Sequence, residues 1–251
     1  MEETQAQWEY DGSFLGFLTI VDRGFREKKF PAVIVSTGNS VENLFYSEWI
    51  KTDKDRGTKI YHRLIQRLRT ENYQFIQQGF YASLEGKERY LLDAIEIALQ
   101  TTDLLENHLG HPSILALQKS IRTLLSETHA FTGFVRFEAV GAVLFSQISP
   151  KNYVLPYLCP HFAERYPQEK IMLYDTTHRL LAMIDHGRIY LLEQATCPEI
   201  ARSQEEQIIE QQWKTFLKAV TIDERTDLKN QRNHLPLRYR ENMTEFKFPA
   251  R

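Results

Sequence analysis

The sequence predicts an α+β protein in which a helical block packs against an antiparallel β-meander. Three observations carry this. Across residues 53 to 130, apolar side chains recur at helical spacing. From Gly133 onward the texture changes to short β-prone runs punctuated by turn residues. With 42% hydrophobic and 25% charged residues over 251 positions, the composition is that of an ordinary globular chain able to bury a core.

The elements follow in order. Asp11-Gly12-Ser13 offers a helix cap, and Phe14, Phe17, Leu18, Val21 and Phe25 then fall on one helical face, with Pro31 marking the exit. Ala32–Val35 and Leu44–Ile50 are β-prone runs on either side of a turn at Thr37-Gly38-Asn39-Ser40. Helices are expected over Lys54–Arg69 with Asp53 as cap, Glu71–Leu84, Lys87–Gln100, and from Pro112, a favoured first-turn residue, to His129.

Beyond Gly133, Phe134–Ala139 and Ala142–Ile148 flank a tight hairpin at Val140-Gly141. Lys151–Tyr166 reads as loop and short helix. Ile171–Asp175, Leu180–Ile184 and Ile189–Leu192 read as a meander, so residues 134 to 192 are expected to form an antiparallel sheet. Glu205–Val220 is a further helix, and the last thirty residues read as polar and irregular. This organisation is a single α+β domain over 1–251, with a helical lobe at about 53–130, a sheet lobe at about 131–195, and a C-terminal helix and basic tail at about 205–251.

Two cysteines, Cys159 and Cys197, exclude a disulfide scaffold and a four-cysteine metal site, and they suit a reducing compartment. No apolar run approaches a membrane span, and the acidic first eleven residues do not resemble a leader, so a cytoplasmic location is expected. No metal and no cofactor are expected. Gly12-Ser13-Phe14-Leu15-Gly16 lacks the dinucleotide-binding spacing and opens a helix without a clear preceding strand.

The net charge of −2 conceals basic stretches. Seven basic residues lie between Lys51 and Arg69, against Asp53 and Asp55; five lie between Arg225 and Arg240, against Asp227. Lys59, Arg63 and Arg67 are four apart and stack on one helix face, a row suited to a phosphate backbone. In the tail, Arg225, Arg232 and Arg238 supply charge, and Tyr239 between Arg238 and Arg240 suggests stacking on a base. The two segments are expected to meet on one basic face.

A second constellation lies between Pro156 and Arg179. His161 and Arg165 share a helical face, and Asp175 and Arg179 flank a turn, where they are expected to pair. A histidine that exchanges protons near neutrality and an arginine that holds an anion make His161, Asp175 and Arg179 candidate catalytic residues.

Several stretches together resemble one bacterial family. They are Tyr10-Asp11-Gly12-Ser13-Phe14-Leu15-Gly16-Phe17-Leu18, Gly133-Phe134-Val135-Arg136-Phe137, and Asn152-Tyr153-Val154-Leu155-Pro156 with His161-Phe162 and Arg165-Tyr166-Pro167. Tyr174-Asp175, Arg179, Arg225, Leu235-Pro236, Arg238-Tyr239 and Thr244-Glu245-Phe246 complete the resemblance. The family is labelled with DNA repair or DNA metabolism. Its members are encoded beside a radical-SAM protein and in some bacteria are fused to a uracil-DNA-glycosylase-like domain.

The resemblance implies DNA as a partner, and a radical-SAM or glycosylase-like protein as a second. It supplies no catalytic residues. Here Asp227 stands where an asparagine is common, and Arg240 where an aromatic is common. The reading is therefore an accessory protein that binds DNA through basic segments and works with a partner enzyme. Its rivals are an enzyme acting on nucleic acid or a nucleotide through His161, Asp175 and Arg179, and a protein–protein scaffold without nucleic-acid contact.

Overall fold

The structure, a computed structural model, describes residues 7–37, 47–198, 204–221, 227–243 and 246. The architecture is α+β. The chain divides into two compact units, Met1–Leu124 and Leu125–Arg251. The division falls within a helix that spans Pro112–Phe134, and each unit has its own sheet.

The first unit is built on three parallel strands. β1 (Gln7–Tyr10) lies between β2 (Val33–Ser36) and β3 (Ser47–Trp49). β1 is absent from the sequence reading: Gln-Trp-Glu-Tyr is too short to show a period. The helix opening at Phe14 therefore does follow a strand. In the turn proposed at 37–40, residues 38–40 lie outside the described residues, as does the first part of the run 44–50.

α1 (Phe14–Glu27) is capped by Ser13, whose Oγ accepts from Gly16 N at 3.0 Å. Asp11 braces this cap: Oδ1 accepts from Ser13 N and Oγ, and Oδ2 from Thr52 Oγ1 at 2.7 Å. The helix ends at Lys28, a left-handed residue with φ 52, three residues before Pro31. α2 (Lys54–Arg67) starts at Asp53, whose carboxylate accepts from Arg56 N at 3.0 Å. α1 and α2 pack closely because Gly57 has no side chain; a Cβ there would stand 2.8 Å from Leu15 O.

α3 (Thr70–Tyr81), α4 (Lys87–Gln100) and the start of α5 (Pro112–Phe134) complete the unit. Its core gathers Tyr10, Phe17, Leu18, Ile76, Leu91 and Ile95. Tyr10 OH donates to the buried Glu88 carboxylate at 2.8 Å, and burial followed by that charge pushes the phenol pKa up.

The second unit carries a five-stranded sheet in the order β4 (Glu138–Val140), β5 (Val143–Ile148), β6 (Lys170–Asp175), β7 (Leu180–Asp185) and β8 (Arg188–Leu192). The meander β6-β7-β8 is antiparallel, and so is the β4–β5 hairpin. The turn between β7 and β8 places His186 at φ 48 and Gly187 at φ 77, the two left-handed residues of a type I′ hairpin.

β5 and β6 run parallel, which corrects the expectation of a wholly antiparallel sheet. A parallel pair needs a crossover of a dozen or more residues, and 149–169 provides it, containing α6 (Leu155–Arg165). α6 packs on β7 and β8. α5 also continues five residues past His129, so Phe134–Phe137 does not open a strand. The tail, expected to be irregular, carries two short helices: α7 (Gln204–Val220) is followed by α8 (Leu228–His234) and α9 (Leu237–Arg240). Asp227 caps α8, its carboxylate accepting from Lys229 N and Asn230 N, a role that an asparagine fills equally well.

Among the described residues, no helix is long and apolar enough to cross a membrane. Cys159 is buried on α6, which pushes its thiol pKa from 9.0 up to about 12, whereas Cys197 is exposed. A thiol reagent at pH 8 is expected to modify one cysteine of the folded protein and two after denaturation; two fast-reacting thiols in the native state would contradict this packing. The raised thiol pKa also has a defined effect on stability. Above pH 9 the unfolded chain releases this proton while the folded chain keeps it, so the contribution of Cys159 is complete below pH 9 and falls as pH rises toward 12. In a Cys159→Ala variant the fall of melting temperature over that range should be shallower.

Candidate functional site

Lys59, Arg63 and Arg67 are exposed on one face of α2. Their spacing places them about 6 Å apart along the helix axis. Among the described residues none of the three pairs with a carboxylate, whereas their neighbours do. Arg56 reaches Asp53 at 3.1 Å and Asp22 at 3.6 Å, and Arg69 reaches Glu71 at 3.6 Å. Asp55 stands one turn before Lys59, in the first turn, where a carboxylate complements the helix dipole. The result is a row of three outward cations on a rigid element of the first unit.

The tail cations belong to the second unit. Arg225 lies outside the described residues. Arg232 is exposed on α8. Tyr239 is 6% exposed, its ring packed against Phe131 and Phe134 at centroid distances of 5.0 and 5.2 Å. That corrects the base-stacking expectation, because a buried ring packed against two aromatics, with the Arg238 guanidinium 4.7 Å from its centre, is not open to a base. Burial raises its phenol pKa. Arg238 caps this packing: its Nη2 donates to Tyr239 OH at 2.6 Å, and its guanidinium lies 4.7 Å from the ring centre. Arg240 donates to Leu235 O.

His161, Asp175 and Arg179 do not form a constellation. No hydrogen bond or ion pair joins any two of them among the described residues. His161 is half-buried on α6 against Phe162, and its Nε2 is buried without a hydrogen-bond partner. Arg165, one turn later, is exposed with its guanidinium 5.7 Å from the Tyr166 ring centre. Arg179 is exposed, with φ 54, and its carbonyl accepts from Ala195 N at 2.8 Å.

The partner of Asp175 is His178, not Arg179. Asp175 is the last residue of β6 and is fully buried. Its Oδ1 accepts from Thr177 N at 2.9 Å and His178 N at 3.0 Å, and its Oδ2 lies 2.7 Å from His178 Nδ1. The arrangement is local: His178, three residues after Asp175 in the turn, offers both its backbone N–H and its ring to the carboxylate, while Arg179, at φ 54, is exposed to solvent.

Around this turn is a polar cluster that sequence reasoning did not assemble. Thr176 N donates to Ile148 O at 3.0 Å, and Ser149 Oγ lies 2.8 Å from Thr176 Oγ1. Asn242 Nδ2 donates to Ser149 Oγ at 3.0 Å. Glu127, 2% exposed on α5, accepts from Lys151 N at 3.1 Å and, at 2.7 Å each, from Asn152 N and Nδ2; Arg238 Nη2 lies 3.9 Å away. Tyr153 presents its ring edge-on to His178 at 5.2 Å. Of these residues Asn152, Tyr153 and Arg238 fall in stretches that carry the family resemblance. Glu127, in the middle of a helix among Ser126 and Thr128, gives no signal in the sequence.

Among the described residues, no cluster of three or more histidine, cysteine or acidic side chains is arranged to hold a metal ion. Residues 85–245 match the family of the domain of unknown function DUF4130. No curated protein matches the chain.

Two substitutions separate the observed pairing from the expected one. Arg179→Ala should leave stability within about 0.5 kcal/mol of the parent, since its side chain is exposed. Asp175→Ala should cost about 1–3 kcal/mol for each buried donor it strands. Urea unfolding of both variants checks this, and a large loss in Arg179→Ala would restore the other pair.

Proposed function

The chain belongs to the DUF4130 family, and we propose that it is a nucleic-acid-binding accessory protein that engages the phosphate backbone and acts with a partner enzyme in DNA repair or modification. The observation that carries this reading is the row Lys59, Arg63 and Arg67 on α2, which pairs with no carboxylate among the described residues. Exposed cations are ordinary; three in register on a rigid face, beside arginines that do find carboxylates, are less so. Their spacing of about 6 Å is close to two steps of about 3.4 Å along one nucleic-acid strand. Guanidinium groups bind phosphate oxygens in bidentate fashion, and two of the three residues are arginines.

Backbone contacts of this kind supply affinity without sequence preference. Sequence or lesion specificity then falls to a partner, and the resemblance set out above suggests a radical-SAM or uracil-DNA-glycosylase-like protein in that role. The tail cations Arg232 and Arg238 and the α6 residue Arg165 are further candidates for backbone contact within the second unit.

A salt series tests the reading. Binding of duplex and single-stranded oligonucleotides should weaken steeply with salt, and a Lys59→Ala/Arg63→Ala/Arg67→Ala variant should bind several sequences more weakly by a similar factor. Each lost phosphate contact should lower the slope of log K against log salt by about 0.9 for duplex and about 0.7 for single strands. An unchanged slope and affinity in the triple variant would remove α2 from the interface. Absence of salt-dependent binding in the parent would overturn the function itself and favour the scaffold.

A further inference from the structure

The five-stranded sheet of the second unit ends on β8, and no strand pairs with the outer side of β8 among the described residues. All five of its residues are exposed, and Ile189, Tyr190, Leu191 and Leu192 keep between 38% and 49% of their surface open to water. Successive residues alternate, so apolar side chains stand exposed on both faces of the strand. Folded proteins ordinarily blunt such an edge by shortening it, by charge, by proline or by a bulge. The opposite edge, β4, is three residues long and carries Glu138. β8 instead pairs with β7 over five unbroken rungs, and between Arg188 and Glu193 it has neither a charge nor a proline.

The backbone of this edge is set to accept another strand. Across the tight hairpin at His186-Gly187, the flanking residues Asp185 and Arg188 form a rung whose backbone groups point at one another. Rungs alternate, so Arg188, Tyr190 and Leu192 direct their N–H and C=O groups toward β7, and Ile189 and Leu191 direct theirs away from the sheet. A free row of donors and acceptors between apolar side chains is a template for strand addition. The charges at its two ends decide which strand fits. Arg188 opens β8 and Glu193 follows its end; both are exposed, and neither forms an ion pair among the described residues. An antiparallel partner needs an acidic residue near Arg188 and a basic one near Glu193. β8 itself, rotated by half a turn, has that order.

We propose that β8 pairs with β8 of a second copy of this chain, antiparallel about a two-fold axis at Tyr190. In that register Ile189 of each copy faces Leu191 of the other, Arg188 faces Leu192, and the two Tyr190 residues face each other. The outward-directed Ile189 and Leu191 form the hydrogen-bonded rungs, and Tyr190 the rung between them, where side chains come closest and an aromatic pair is favourable. Arg188 then lies beside Glu193 of the other copy at both ends of the seam. Moving the register by two residues sets Glu193 against Ile189, or Gly187 against Leu191, and loses apolar rungs. The two-fold axis closes the assembly, because the same edge of both copies is used up. Five residues a side is well short of the about 20–30 of a standard interface, so the dimer is reversible, with dissociation in the micromolar range. The inference does not depend on nucleic-acid binding by α2.

Sedimentation velocity of the intact chain from about 1 to about 100 µM tests this. The average mass should rise from one chain toward two and no further. Leu191→Pro removes an outward N–H that the β7 ladder does not use, a change that an edge strand tolerates. It should weaken the dimer by about tenfold or more. Arg188→Glu and Glu193→Arg should each weaken it several-fold, because like charges then meet at both ends of the seam. The double exchange should restore it, since opposite charges meet again only between antiparallel copies of this strand.

A mass that stays at one chain throughout overturns the proposal and leaves the edge to a strand of another protein. A mass that climbs past two chains overturns the closed two-fold seam. Dimerisation that neither Leu191→Pro nor the charge reversals weaken places the contact elsewhere on the molecule and overturns it as well. If the single reversals weaken the dimer but the double exchange fails to restore it, the antiparallel self-pairing is wrong. Should Leu191→Pro fail to fold, the reversals at the exposed Arg188 and Glu193 decide alone.

Discussion

The parallel pairing of β5 with β6 is the constraint on which the second unit depends. Two strands that run the same way cannot be joined by a tight turn, so the chain must cross over between them. That crossover is the segment from Ser149 to Glu169, with α6 on the sheet against β7 and β8. Because both strands finish at the same end, their first non-strand residues are neighbours, and the Ser149–Thr176 hydroxyl contact and the Thr176 N to Ile148 O hydrogen bond follow from that register. An antiparallel arrangement would have placed the residues after β5 at the opposite end from Asp175, and none of these contacts would exist.

The same edge explains the two buried carboxylates. An ionised carboxylate removed from water is tolerated only when hydrogen bonds and charge partners replace its hydration. Asp175 obtains them by accepting from the turn that its own strand enters, and Glu127 by accepting from the loop that leaves β5. Backbone amides are donors already fixed by the fold, so each carboxylate gains charge-assisted bonds at little further entropic cost. The consequence reaches outward. With its Nδ1 bound to Asp175, His178 has one ring nitrogen committed, and Arg238 is steadied between Glu127 and Tyr239. Local satisfaction of buried carboxylates thus sets the directions of the His178 ring and the Arg238 guanidinium.

How far the sequence shows this depends on the range of the interaction. Features decided within a few residues are legible: the Ser13 and Asp53 caps, the full extent of α4, and the Asp185-His186-Gly187-Arg188 hairpin with its two left-handed residues. Features decided by distant partners are not. β1 is four residues long, and only its two parallel neighbours make it a central strand. Phe134 has strand propensity, yet it ends a helix whose Phe131 and Phe134 pack against Tyr239, a residue more than a hundred positions away. Tyr239 between two arginines has the composition of a stacking residue, and burial, which composition does not encode, makes it a core aromatic. The length of the segment between β5 and β6 was sufficient to signal a crossover, but its prolines Pro150, Pro156, Pro160 and Pro167 gave it the texture of a loop. Pro156 instead sits in the first turn of α6, where its missing N–H costs nothing.

Net charge is a poor guide to what such a chain binds, and the reason is screening. At physiological ionic strength the Debye length is about 8 Å, so an exposed phosphate responds to the cations within that reach and hardly at all to carboxylates elsewhere on the surface. The relevant quantity is the local balance. On α2 the three cations of the row span about 12 Å of helix; Asp53 is engaged by the α2 N-terminus and Arg56, and Asp22 by Arg26 and Arg56, while Asp55 stands one turn before Lys59. At the β5–β6 edge Glu127 and Asp175 are covered by donors from their own fold. Along α2 the cations Lys59, Arg63 and Arg67 face water, and in the second unit the carboxylates of Glu127 and Asp175 do not. In a chain with a formal charge of −2 the distribution of ion pairs, not their sum, determines where positive charge is left facing water.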